Sequence, residues 1–194
     1  MEPIILASAS QRRKDLLKQS GIPFKVQPSN VDEDKAELDG SPEQNAETLA
    51  RMKALDVAGK IPKGLVLGAD TIVVLDNEVF GKPCNADDAY RMLTKLSGRE
   101  HKVITGIALV DSGSGVCRTG YEITGVRFAY LSPDEIRFYI ATGEPYGKAG
   151  AYAVQGVGAL LIEGIEGCYA NVVGLPLMKL RRMLEEFNIK ILEM

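Results

Sequence analysis

Apolar and polar positions along this chain fall into short blocks whose periodicity separates strands from helices. Residues 4–7 form a brief apolar run ending at Ser8, as expected of a buried strand. Residues 13–19 follow a helical pattern that stops near Gly21, and residues 24–27 read as a second short strand. Ser41-Pro42-Glu43-Gln44 predicts a helix start: Ser41 caps, Pro42 suits the first helical position, and Gln44 completes a capping box. That helix is expected to reach about Ala58, with Gly59 ending it. Residues 65–69 and 72–75 read as strand runs interrupted by Gly68 to Thr71, with a turn at Asp76-Asn77. Asn85 and Asp88 frame another helix, which ends near Ser97-Gly98. Residues 102–110 and 121–131 form a hairpin pattern around Ser112-Gly113-Ser114-Gly115. Ser132-Pro133-Asp134-Glu135 repeats the capping signal and starts a helix toward Thr142. In residues 175–187, Leu177, Leu180, Leu184 and Phe187 recur at helical spacing and mark a core-facing stripe. A last strand is expected at residues 190–192.

Alternating helices and strands with one inserted hairpin predict an α/β fold: a mixed twisted sheet with flanking helices. No repeat, low-complexity tract or Pro/Ser-rich linker divides the chain, so residues 1–194 read as a single domain. Any two-lobed shape would come from the hairpin region projecting beyond the main sheet.

Composition narrows the function classes. With 45% hydrophobic and 25% charged residues, the chain has the balance of an ordinary globular protein. The net charge of −3 and an aromatic content of 6% without Trp argue against a nucleic-acid partner. Cys84, Cys117 and Cys168 have no metal-type or CxxC spacing and read as reduced thiols of a cytoplasmic protein. The first apolar run lacks a basic flank and is too short for a signal peptide, and no run has the length of a membrane span.

The N-terminal Ser8-Ala9-Ser10-Gln11-Arg12-Arg13 is the most telling segment. A strand that opens into a helix through small hydroxyl residues presents backbone N–H groups at a helix N-terminus, where an anion is favoured. Two guanidiniums at the same turn suit phosphate. Asp70 ends an apolar run in Gly68-Ala69-Asp70-Thr71, as either a turn aspartate or a carboxylate placed to orient water or hold a metal. Lys82 in Gly81-Lys82-Pro83 and Lys53 in the Ser41 helix are unremarkable alone, since lysines are mostly solvated. Asp32-Glu33-Asp34 reads as a solvated loop or as a source of Mg²⁺ oxygens. The glycine-rich stretch from Glu144 to Gly158 reads as a surface loop, or as a support from which the Gln155 amide reads a base edge. The sole histidine, His101, lacks a partner nucleophile and is assigned to packing or capping. Neither GxxxxGK[ST] nor GxGxxG occurs.

Together, Ser8-x-Ser10-x-Arg12-Arg13, Gly68-Ala69-Asp70-Thr71, Gly81-Lys82-Pro83, Ser97-Gly98 with Thr105-Gly106, and Lys148-Ala149-Gly150-Ala151-Tyr152 resemble the Maf family of nucleoside triphosphate pyrophosphatases. The resemblance runs from Leu6 to Pro176, with Gln11 standing where the family often carries proline. It implies a deep-clefted fold similar to the inosine triphosphate pyrophosphatase group, a divalent metal (Mg²⁺, Mn²⁺ or Co²⁺), and a homodimer. It also implies hydrolysis of a nucleoside triphosphate to monophosphate and pyrophosphate, with Asp70 at the catalytic acidic position. Arg12, Thr71 and Gln155 match the branch acting on dTTP and UTP. On this reading Ser8, Arg13, Lys53 and Lys82 hold phosphates, and Glu33 and Asp70 share the metal. The alternative is a nucleotide-binding regulator of septum formation in which catalysis is not essential.

Overall fold

A computed structural model of the chain describes residues 2–192, apart from the side chain of Asp34. The first strand, β1 (Ile4–Leu6), is followed directly by a turn at Ser8 to Ser10 and by α1 (Gln11–Gln19), which buries Leu16 and Leu17. α1 begins two residues earlier than the sequence pattern indicates, so Arg12 and Arg13 both lie in its first turn. β2 (Phe24–Val26) and a single 3-10 turn (Glu33–Lys35) lead to α2 (Pro42–Ala58). The expected capping box is present: Ser41 Oγ accepts from Gln44 N at 3.4 Å, and Gln44 Oε1 accepts from Ser41 N at 2.9 Å.

β3 (Leu65–Leu75) corrects the sequence reading of two interrupted runs, being one strand of 11 residues with Asp70 in its interior. Gly68 does not break it. A Cβ there would overlap Ala50 O of α2 and lie 2.9 Å from Ala54 N, so the glycine lets helix and strand approach closely. Asp76 and Asn77, both at positive φ (49° and 67°), turn the chain into β4 (Glu78–Phe80), antiparallel to β3. α3 (Ala86–Leu96) is capped by Asn85, and β5 (Glu100–Asp111) and β6 (Cys117–Phe128) flank the Gly/Ser turn. α4 (Pro133–Ala141) carries the second capping box. β7 (Ile162–Glu166), α5 (Tyr169–Val173) and α6 (Leu177–Glu185) complete the elements. Residues 190–192 are not a strand. The chain leaves α6 through Asn188 in a left-handed conformation (φ 57°), and Leu192 is 73% exposed.

Strand order is β2-β1-β3-β5-β6-β7, with β4 on β3. β1 runs parallel to β2 and β3, whereas β3–β4 and β6–β7 are antiparallel, which makes the sheet mixed. No helix among the described residues is long and apolar enough to cross a membrane.

The chain divides into two compact units. One contains the residues up to Asp70, Thr105–Glu122 and those from Gly174 onward. Its core is built from small side chains: Ala50, Ala54 and Val57 of α2 against Ala7, Val66 and Ala108. The other contains Thr71–Ile104 and Ile123–Val173, with Phe80, Leu93, Phe128, Tyr139 and Tyr152 in a larger-residue core.

Candidate functional site

In the first unit, α2 brings a charged residue onto its own buried face. Ala46, Leu49, Ala50, Lys53 and Val57 recur at helical spacing and are all buried. The close approach at Gly68 then sets Lys53 over the interior of β3. Lys53 Nζ lies 2.5 Å from Asp70 Oδ1 and 2.8 Å from Glu33 Oε1. Lys53 is 8% exposed and Asp70 7%, so neither is the solvated helix lysine or the turn aspartate that the sequence allowed. An unpaired charge at that depth costs several kcal/mol, roughly, and the ion pair supplies the compensation.

Glu33 reaches this pair from the 3-10 turn, while neighbouring Asp32 pairs outward with Lys35 at 2.8 Å. The side chain of Asp34 lies outside the described residues. Two carboxylates converging on one cation suit a divalent ion of the Mg²⁺ type, which takes one or two carboxylates and fills its remaining positions with water and phosphate. The donor set of Glu33 and Asp70 fits that pattern, although no group of three or more His, Cys, Asp or Glu side chains is gathered among the described residues.

Arg13 joins the same unit. Its Nη1 donates to Ser8 Oγ at 3.0 Å and its Nε to Gly174 O at 2.8 Å, while Ser10 N donates to Ser8 Oγ at 3.2 Å. The guanidinium therefore shapes the N-terminal turn as well as charging it. Burial lowers its pKa from the ordinary arginine value, Asp70 and Glu33 act to raise it, and Arg12 lowers it further. Ser8, Arg13, Glu33, Lys53 and Asp70 are thus assembled in one place. Arg12 is half-buried beside Arg13 on α1.

Three sequence-selected residues belong to the second unit. Thr71 is half-buried and follows Asp70 on β3, Lys82 is exposed after β4, and Gln155 is exposed at the head of a 3-10 stretch, Gly156–Leu161. Gly150 N donates to Gly81 O at 3.0 Å, which ties the Lys82 loop to the Lys148–Tyr152 segment. Gly150 has φ 69°, and a Cβ there would lie 3.0 Å from Val73 Cγ2.

Sequence reasoning missed Glu144. Its carboxylate accepts from Gly158 N at 2.8 Å, Val157 N at 3.0 Å and Tyr139 Oη at 3.0 Å. Burial acts to raise its pKa, but the two backbone bonds, Tyr139 and the Lys148 charge outweigh it and hold the carboxyl below its ordinary value. Nothing in local spacing announces bonds formed over 13 and 14 residues. The burial of Lys53, by contrast, was signalled by its place in the apolar stripe of α2.

His101 belongs to the core of the second unit. It is 2% exposed, its Nε2 is 2.7 Å from Tyr152 Oη, and its ring packs edge-on against Phe128 and Tyr152. Burial lowers its pKa to about 4 and raises that of the Tyr152 phenol.

The family model described as Maf-like protein matches residues 3–187. A dTTP/UTP pyrophosphatase of Ruminiclostridium cellulolyticum is 54% identical over 193 residues, covering 100% of each chain. Another dTTP/UTP pyrophosphatase, from Pelotomaculum thermopropionicum, is 50% identical over 193 residues, covering 99% of this chain and 100% of its own. A crystal structure of a nucleoside-triphosphatase / dITP/XTP pyrophosphatase from Mycobacterium abscessus aligns over 95% of this chain and 98% of its own. That alignment has 14% identity and a TM-score of 0.41.

Proposed function

The chain belongs to the Maf-like protein family, and from that premise we propose that it hydrolyses dTTP and UTP to the monophosphate and pyrophosphate, with Asp70 as the catalytic carboxylate. The observation that carries the reading is the buried Lys53–Asp70 pair, joined by a partly exposed Glu33 and lying beside Arg13. In a protein of net charge −3, Lys53 and Arg13 offset Glu33 and Asp70 here, and Arg12 makes the local balance positive, as a triphosphate of charge about −4 requires.

The division of labour follows from the donors. Arg13 and Lys53 bring fixed positive charge to phosphate oxygens, and Ser8 and the α1 N-terminus add hydrogen-bond donors. Lys82, in Gly81-Lys82-Pro83 of the second unit, is assigned to phosphate as well. In the reaction a water oxygen attacks the α-phosphorus and its proton passes to Asp70, whose Oδ1 is anchored by Lys53 so that Oδ2 is the accepting atom. The α–β bridging bond breaks, and pyrophosphate leaves with the bridging oxygen. Glu33 and Asp70 would hold a divalent ion that, when bound, draws negative charge from phosphate oxygens. Arg12, Thr71 and Gln155 select the base, because a wrong base leaves their directional donors and acceptors unpaired.

A pyrophosphate-release screen over ordinary and modified pyrimidine nucleotides, each with Mg²⁺, Mn²⁺ and Co²⁺, tests this function. Fastest release from dTTP and UTP is expected. Saturable nucleotide binding with no release under any metal overturns the enzymatic reading in favour of a nucleotide sensor.

A further inference from the structure

The second unit contains a polar relay that spans both sides of Gln155. Tyr139 Oη accepts a hydrogen bond from Ala153 N at 3.1 Å and donates to Glu144 Oε1 at 3.0 Å. The same Oε1 accepts from Gly158 N at 2.8 Å, and Oε2 accepts from Val157 N at 3.0 Å. The residues held in this way stand two before Gln155 and two and three after it. Between them, Gly156 has φ 72°, and a Cβ there would meet Glu144 Oε2 at 2.5 Å, so the carboxylate fills the space beneath the turn. Glu144 is itself fixed to the end of α4. Its N–H donates to Thr142 Oγ1 at 3.1 Å, Thr142 Oγ1 donates to Tyr139 O at 2.6 Å, and Lys148 Nζ donates to Glu144 O.

Gln155 is exposed and its side chain makes no capping bond to the 3-10 stretch it heads. The direction of its amide is therefore set by backbone on either side, and the relay holds both sides to one carboxylate. We propose that Tyr139 and Glu144 are a positioning pair for base recognition, holding the Gln155 turn in the one shape from which its amide discriminates among pyrimidines. This rests on the assignment of Gln155 as a base-reading residue. Glu144→Gln keeps the size of the side chain but turns an NH₂ toward a backbone donor, and Tyr139→Phe leaves the buried Ala153 N–H without its acceptor.

The test compares kcat and KM for dTTP, UTP and CTP in the parent, Gln155→Ala, Tyr139→Phe, Glu144→Gln and the Glu144→Gln/Gln155→Ala double variant. Binding of inorganic tripolyphosphate is measured alongside. Each single variant is expected to change the preference for dTTP and UTP over CTP by roughly tenfold, chiefly through KM, with tripolyphosphate affinity retained. The double variant is expected to discriminate no worse than Gln155→Ala alone, because both changes remove one interaction. If Gln155→Ala shifts the preference while Glu144→Gln and Tyr139→Phe do not, the positioning role falls and the Gln155 assignment stands. If Gln155→Ala leaves the preference unchanged, the assignment falls and takes the proposal with it. Should the single variants fail to fold, amide hydrogen exchange on the parent protein decides. Slow exchange at Ala153, Val157 and Gly158 supports the relay, and exchange at free-loop rates overturns it.

Discussion

Lys53 Nζ sits 2.5 Å from Asp70 Oδ1, an ammonium on the apolar face of α2 meeting a carboxylate in the interior of β3. The pair exists because small residues line the contact. Ala50 and Ala54 face Gly68, and Ala46 faces Gly106, where an added Cβ would collide with the Ala46 backbone. The helix therefore lies close enough for one lysine to span the gap. Glu33 supplies a second acid, and Arg12 and Arg13 tip the local balance toward positive charge. This reconciles an acidic protein with a polyphosphate ligand.

Asp70→Asn preserves the shape of the site and leaves Lys53 paired with Glu33. Turnover with metal is expected to fall by at least roughly 10²–10⁴-fold while metal-free nucleotide affinity stays within about tenfold of the parent, since the change removes a proton acceptor and a metal ligand but no direct phosphate contact. Pyrophosphate release and calorimetric titration separate the two quantities. Near-normal release by the variant excludes Asp70 as the catalytic group.

Lys53→Met removes the charge and keeps most of the side-chain volume. Without added metal the variant is expected to lose about 3 kcal/mol, because Asp70 is left buried without its cation. That corresponds to a fall of roughly 6–12 °C in Tm for a chain of this size. If Glu33 and Asp70 accept a divalent ion, Mg²⁺ will restore more of the Tm in this variant than it adds to the parent, since the ion no longer competes with the ammonium. Thermal melts with and without Mg²⁺ provide the comparison. Equal Mg²⁺ shifts in the two proteins separate this carboxylate pair from metal binding.

The two capping boxes, at Ser41 and Ser132, and the Asp76-Asn77 turn were legible because their signals are confined to four or fewer consecutive residues. The α/β alternation was legible because each element carries its own hydrophobic period within its span. β3 was misread as two runs because Gly68 and Asp70 resemble breakers in isolation. Their meaning depends on α2, which supplies the close backbone and the lysine. Lys53 offered a usable hint, a charged residue at a core-facing helical position, but its partner is 17 residues away in the sequence. Glu144 offered none, because a carboxylate that binds backbone N–H groups 13 and 14 residues on, at the far end of a glycine-rich stretch, has no local pattern. The final strand expected at residues 190–192 failed because two successive apolar residues are too short a run to specify a strand, and Leu192 is left exposed.

Gly68→Ala tests the close approach itself. The new methyl group would overlap backbone of α2, and neither Ala50 O nor Ala54 N belongs to a flexible side chain that can yield. Helix and strand must separate, which costs about 2 kcal/mol or more and lowers the Tm by roughly 4–8 °C. Because Lys53 rides on the same helix, activity measured well below the melting temperature should fall as well. Parent-like activity together with the lowered Tm would show that the site tolerates a displaced α2.

His101 gives the second unit an acid-sensitive core. Its side chain is buried against Phe128 and Tyr152, and burial lowers its pKa from 6.5 to about 4. The unfolded chain therefore binds a proton to this residue at higher pH than the folded chain does. The stability contribution is complete above about pH 6.5 and is lost progressively as the pH falls toward 4. Below that pH both states are protonated and the loss levels off, at about 3 kcal/mol. Urea unfolding followed from pH 7.5 to 4 should show this decline in the parent. His101→Gln should flatten it, because an amide can still meet the Tyr152 hydroxyl but does not titrate. An unchanged slope in that variant would assign the acid sensitivity to other groups.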